Sequence, residues 1–208
     1  MTTSSRIAAW FTATLLAFGS GAGPIAAQTL GDGVLLIASP ELTDVNFARA
    51  VVLVLRHDDN GTIGIVVNRP TNLAPATVFP ELSEGIGSYT GTLFRGGPID
   101  PTRVLMLVRG LAAATVSGPE VLDKVFLSID SESLSDMTRL ADGIDELRVY
   151  AGHAAWVAGQ LQAELGAGGW KIVPGAADLV FTMDPQALWT ELEQRAANST
   201  DVLASTTR

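Results

Sequence analysis

The sequence predicts a single α+β domain, and three observations carry that expectation. Short runs rich in β-branched residues are continuous rather than alternating, the pattern of strands covered on both faces. Two of these runs are joined by a dipeptide suited to a tight hairpin, so part of the sheet must be antiparallel. Between the other strand runs lie capping patterns and four-residue apolar spacings that belong to helices.

Ahead of the first strand, residues 1–27 read as a secretory signal peptide. Arg6 is their one charge, and the apolar run Ile7 to Phe18 spans 12 residues, whereas a bilayer-crossing helix needs about 20. Gly19-Ser20-Gly21 breaks the run, and Ile25-Ala26-Ala27 offers a small-residue cleavage site before Gln28. Export to the periplasm is the expectation, with a cytoplasmic location the alternative. No later segment approaches 18 consecutive apolar residues, so no membrane span is expected after cleavage. Residues 28–195 show no linker, repeat or low-complexity stretch and are assigned to the domain. Residues 196–208 are small and polar and predict a disordered tail.

Strands are expected at Val34 to Ile37, Val51 to Leu55, Ile63 to Val67 and Val104 to Val108. Asn60-Gly61 tolerates positive φ, so Ala50 to Asn68 predicts a β-hairpin. Ser117-Gly118-Pro119-Glu120 has the form of a capping box and predicts a helix start. A second helix is expected from Asp130, with Leu134, Met137, Thr138 and Ala141 on one face and Gly143 as its stop. A third is expected over Ala154 to Leu165, where Val157, Leu161 and Leu165 are spaced four apart. The last has Asp184 as cap and Pro185 at its first position, and buries Leu188 and Leu192. Further strands are expected at Glu146 to Tyr150, Trp170 to Val173 and Leu179 to Phe181.

Composition excludes several chemistries. The 208 residues hold no cysteine, which removes disulfides, thiolate nucleophiles and cysteine-built metal sites, and they hold two histidines, His57 and His153. The 13 basic residues are scattered against 22 acidic ones, for a net charge of −9. Direct nucleic-acid binding is therefore not expected, since phosphate backbones demand clustered Lys and Arg. There is no G-x-S-x-G elbow, no phosphate-binding P-loop and no H-E-x-x-H helix, and Gly85-Ile86-Gly87 with Gly91 misses the dinucleotide fingerprint. No cofactor and no metal are expected.

Four clusters are left as candidates. Consecutive residues of a tight turn point apart, so His57-Asp58-Asp59 reads as a solvated hairpin end rather than a metal site. Asn68-Arg69-Pro70 is either a polar recognition corner or a strand terminator whose Asn satisfies loop amides. In Arg95-Gly96-Gly97-Pro98 the glycines permit close backbone approach, and the guanidinium suits a carboxylate or phosphate. The plainer reading of that motif is a strand-ending turn with a surface Arg. Gly152-His153 is expected to lead into a helix whose dipole disfavours protonated imidazole and attracts anions.

Leu35-Leu36-Ile37-Ala38-Ser39-Pro40, Asp44, Phe47 to Val52, and His57 through Pro70 together resemble the AlgH/YqgE family of bacterial proteins. Arg95-Gly96-Gly97-Pro98 is similar to that family's G-G-P turn, and Trp156 with Gly159-Gln160-Leu161 and Glu164 to its W-x-x-G-Q-L-x-x-E pattern. Asp178 to Phe181 and Trp189 continue the likeness, which covers about Gly33 to Leu192. The resemblance implies a mostly antiparallel sheet curled into a partial barrel and flanked by helices. It brings a transcriptional-regulator label attached to some members, but no established substrate, cofactor or catalytic residue. The family usually carries tyrosine where this chain has His153.

Two functions follow as expectations. The first is a non-catalytic binding or regulatory protein whose rim, formed by Asn68, Arg69, Arg95, Gly96 and Gly97 with His57 and His153 as further candidates, takes a small anion or an extended peptide segment. The alternative is a hydrolase-like enzyme using His57 or His153 as general base, a role that typically contributes about 10²–10⁴-fold to rate.

Overall fold

The computed structural model describes residues 30–83, 89–110, 118–129 and 146–205. The signal segment, Gly85 and Gly87, and the helix expected from Asp130 lie outside the described residues. Strand β1 (Val34–Ala38) pairs with β2 (Val51–Asp58), which turns into β3 (Gly61–Val66). The hairpin is the expected one. Asp58 pairs with Gly61, and the Asp58 carboxylate accepts the Asn60 amide at 2.8 Å. The positive φ of the turn falls on Gly61, at 138°.

The continuity of the apolar runs has a direct cause. Leu35, Ile37, Val51, Leu53 and Ile65 enter one core, whereas their neighbours Leu36, Val52, Val54 and Val66 enter another on the opposite face. Side chains alternate along a strand, so a run buried throughout needs cover on both sides.

The remaining strands are β4 (Leu93–Arg95), β5 (Ile99–Arg109), β6 (Glu120–Leu122), β7 (Val125–Ser128), β8 (Glu146–Val157) and β9 (Trp170–Pro174). Among the described residues they form one nine-stranded sheet in the order β6-β7-β5-β8-β3-β2-β1-β9. All pairings on that path are antiparallel, and β4 lies parallel beside β8. The sheet curls until its ends approach: a Cβ on Gly33 would lie 2.8 Å from the Val121 carbonyl, and one on Gly175 would lie 2.8 Å from the Leu122 side chain. The result is a half-barrel. Its interior holds Leu35, Leu53, Ile65, Leu107 and Tyr150, and is closed by Val180, Phe181, Leu188 and Leu192.

Helices cover the outside. Helix α1 (Pro75–Val78) and a 3-10 turn (Pro80–Ser83) bring Phe79 and Leu82 onto Met106, Val108 and Val149. Helix α2 (Gln160–Gly166) lays Leu161 against Trp156 and Trp170. Helices α3 (Ala177–Val180) and α4 (Leu188–Ser205) complete the chain. Among the described residues, no helix is long and apolar enough to cross a membrane.

Four expectations are corrected. Glu120 begins strand β6 rather than a helix; its carboxylate accepts the Lys124 amide at 2.8 Å and secures the β6–β7 turn, while Ser117 lies outside the described residues. The helix expected over Ala154 to Leu165 is strand as far as Val157, because Gly61 to Gly64 of β3 pair with Val157 to Ala154. Gly159, at φ 76°, then turns the chain into α2. The segment expected as strand at Leu179 to Phe181 is mostly α3, a single turn that still buries Val180 and Phe181. At the other end, α4 continues past Arg195 to Ser205, where a disordered tail was expected; Asp184 does accept the Ala187 amide ahead of it, at 3.1 Å.

Candidate functional site

Two of the expected rim elements are consumed by the fold. Asn68 is buried; its Oδ1 accepts the Val51 amide at 2.9 Å and its Nδ2 donates to the Arg49 carbonyl at 2.9 Å. It fastens the loop before β2, which is the strand-terminator reading of Asn68-Arg69-Pro70. Gly96 donates its amide to Ala151 at 2.8 Å and accepts from Val66 at 2.7 Å. A Cβ there would collide with the Gly152 carbonyl, and one on Gly97 would collide with that of His153 and come within 2.6 Å of the Ala154 nitrogen. The paired glycines allow the chain leaving β4 to lie hard against β8, and the Gly96 N–H is already committed to it.

The two arginines remain. The Arg95 amide donates to the Arg69 carbonyl at 2.9 Å, so the end of β4 lies beside the chain leaving β3. Arg69 is half-buried and donates Nη2 to the Ala48 carbonyl at 3.0 Å, while Arg95 is exposed. Burial and then the neighbouring charge of Arg95 make the Arg69 guanidinium release its proton more readily than usual; Asp44 opposes that effect. Arg49 stands nearby in the chain, its guanidinium 5.3 Å from the centre of the Trp189 ring.

The histidines occupy different settings. The Nδ1 of His57 is 2.7 Å from the Thr62 hydroxyl and its Nε2 is 3.1 Å from Gln162, so both ring nitrogens are engaged by neutral partners. His153 lies inside β8, not ahead of a helix. Its proton affinity is lowered by burial and then by Arg103, with Asp100 opposing, and not by a helix dipole. Its Nδ1 is buried without a partner among the described residues. The unfolded chain therefore binds a proton that the fold resists. Stability should be complete above the ordinary histidine value of 6.5 and fall as pH drops from there toward the lower folded value. Melting temperatures at about pH 7.5 and about pH 5 should accordingly differ less in His153→Gln than in the unaltered protein. An unchanged difference would show that His153 makes no contribution.

Two features escape the sequence reading. Arg148 is only 9% exposed, with its guanidinium carbon 4.7 Å from the Phe94 ring centre and 5.7 Å from that of Phe181. It donates one nitrogen to the Thr182 carbonyl. Beside it is the fully buried Tyr150 hydroxyl, whose proton affinity burial raises. An arginine on the inward side of a barrel has no sequence signature distinct from one on the outside.

The second feature is a cavity of about 100 Å³ lined by Leu42, Asp44, Phe47, Pro98, Ile99, Ala155, Trp156, Gln160, Glu164 and Trp170. Phe47 stacks on Trp156 with ring centres 5.8 Å apart, and Trp170 meets both edge-on, at 5.6 and 5.7 Å. One Glu164 oxygen accepts the Trp156 indole at 3.0 Å and the Trp170 indole at 2.8 Å; the other accepts Gln160 at 2.9 Å. Among the described residues no three His, Asp or Glu side chains gather as metal ligands do.

A half-barrel with these caps places the protein in a known structural class. A crystal structure of a Corynebacterium diphtheriae protein matches it with a TM-score of 0.66 over 80% of this chain and 87% of that one, at 23% identity. The solution structure of the AlgH protein from Pseudomonas aeruginosa matches with a TM-score of 0.58 over 79% and 86%, at 26% identity. The UPF0301 protein of Thermobifida fusca is 35% identical over 170 residues, covering 78% of this chain and 85% of its own. A UPF0301 protein of Stenotrophomonas maltophilia is 34% identical over 169 residues, covering 80% and 88%. The profile of AlgH-like proteins matches residues 35–200, and the chain belongs to that family.

Proposed function

We propose that the protein is a non-catalytic binding protein that receives an anionic group, carboxylate or phosphate, on the edge formed by Arg69 and Arg95. The group belongs to a small ligand or to an extended peptide segment. The observation that supports this is the pairing of two like charges: the Arg95 amide donates to the Arg69 carbonyl at 2.9 Å, and the half-buried Arg69 guanidinium binds its proton less tightly first through burial and then through the charge of Arg95. Like charges held together cost energy, and an anion between them relieves it. The buried Asn68 and the packed glycines position this edge and do not touch the ligand. The net charge of −9 disfavours nucleic acid as the source of the anion. For the hydrolytic alternative, with His57 or His153 as general base, His57 is engaged on both nitrogens and the His153 Nδ1 is buried away from solvent, so no observation favours it.

Thermal unfolding with added phosphate, acetate or an acidic peptide tests the reading. A ligand at about 100 times its dissociation constant stabilises by about 2.7 kcal/mol, which should raise the melting temperature visibly. Arg95→Ala, at an exposed position, should fold normally and lose the shift. Stabilisation by the peptide alone would assign the site to a protein partner. No shift with any of the three, or equal shifts in Arg95→Ala, would end the proposal.

A further inference from the structure

The cavity beside Trp156 has the opposite sign to the arginine edge. Its charged lining residues are both carboxylates, Asp44 and Glu164, and its remaining walls are largely apolar. The three donors on Glu164 are two indoles and an amide, all neutral, so they hold the carboxylate without cancelling its charge. Asp44 accepts the Asn46 amide at 2.8 Å, again a neutral partner. The cation that Asp44 influences, Arg69, is not part of the lining.

An anion would meet two negative groups here and is excluded. A hard metal ion needs about six or more oxygen ligands or retained waters, and the aromatic walls supply none. A cation with an apolar stem finds both kinds of partner in this lining, carboxylates for its head and Leu42, Phe47, Ile99 and Trp156 for its stem. Aromatic walls add cation–π attraction, and a guanidinium or ammonium can donate to the acceptor capacity the carboxylates retain. At about 100 Å³ the space takes a head group of a few heavy atoms.

We propose that this cavity binds a compact organic cation bearing N–H donors, the primary ammonium or guanidinium head of an alkyl chain. Nothing in this assignment depends on the anion site, and either can fail alone. The probes are butylammonium and ethylguanidinium, followed through the indole N–H signals of Trp156 and Trp170 at constant ionic strength. Both signals should shift saturably, while that of Trp189, outside the lining, stays in place and reports that the fold is intact. Asp44→Asn keeps an acceptor for the Asn46 amide but removes charge, and should weaken binding about tenfold, as expected for one charge-assisted contact. Glu164→Gln, which keeps one carbonyl oxygen for the indoles, should weaken it by at least as much. A lysine-bearing peptide that binds more tightly than butylammonium would place the head group on a protein partner, and the reverse order on a free ligand; either supports the cation chemistry. Shifts that never saturate, that butyrate reproduces, that tetramethylammonium matches in affinity, or that survive both substitutions unchanged would overturn it.

Discussion

Gly97→Ala should destabilise the protein by about 3 kcal/mol, the upper end of what overpacking usually costs. The new methyl group would collide with the His153 carbonyl and approach the Ala154 nitrogen to 2.6 Å. Both obstacles are backbone, in a strand that cannot retreat: β8 is hydrogen-bonded to β5 on one side and to β3 on the other near this point. Gly96 is in the same position against Gly152, and its own amide and carbonyl are already committed to Ala151 and Val66. A urea midpoint compared with Pro98→Ala, an exposed neighbour expected to stay within about 0.5 kcal/mol, measures the effect. The experiment also separates two roles of the glycines. If Gly97→Ala kept full stability and lost anion binding instead, the glycines would be part of the ligand cradle and the packing account would be wrong.

How far the sequence could be read depended on how local the decisive interactions are. The β2–β3 hairpin needs little more than Asn60-Gly61 and two apolar runs, and those runs are buried on both faces as their continuity implies. The Ser117 to Glu120 pattern failed because the same spacing serves two structures. A carboxylate that could cap a helix instead caps a strand turn when β7 is available to pair. At Ala154 to Val157 the apolar spacing suggested a helix, but pairing with β3 prevailed, and Val157 is 71% exposed rather than on a buried face. The site divides in the same way. Arg69 and Arg95 lie far apart in sequence, and their meeting depends on β4 running parallel to β8, a pairing with no short-range signal. The resemblance to AlgH-like proteins named Trp156, Gln160 and Glu164 as a pattern. It gave no indication that Trp170 and Phe47 would complete the aromatic group around them.

Glu164→Leu is expected to have an effect of similar size, about 3 kcal/mol, for a different reason. Trp156 and Trp170 are 4% and 3% exposed, and both indoles rely on one carboxylate oxygen. Removing it strands two buried donors, each costing about 1–3 kcal/mol, and frees Gln160, whose own oxygen accepts the Val157 amide at 3.2 Å. The junction between β8 and α2 would lose its fastening at both ends. If the penalty comes from stranded donors, it should shrink when a donor is removed as well. Trp156→Phe combined with Glu164→Leu should therefore cost less than the sum of the single changes, by an interaction energy of about 1 kcal/mol. Urea midpoints for the four proteins of this cycle decide the point. Additive losses would mean that the carboxylate and the indole stabilise the fold independently. A midpoint unmoved by Glu164→Leu would mean that the negative charge is kept beneath the aromatic group for something other than holding the rings.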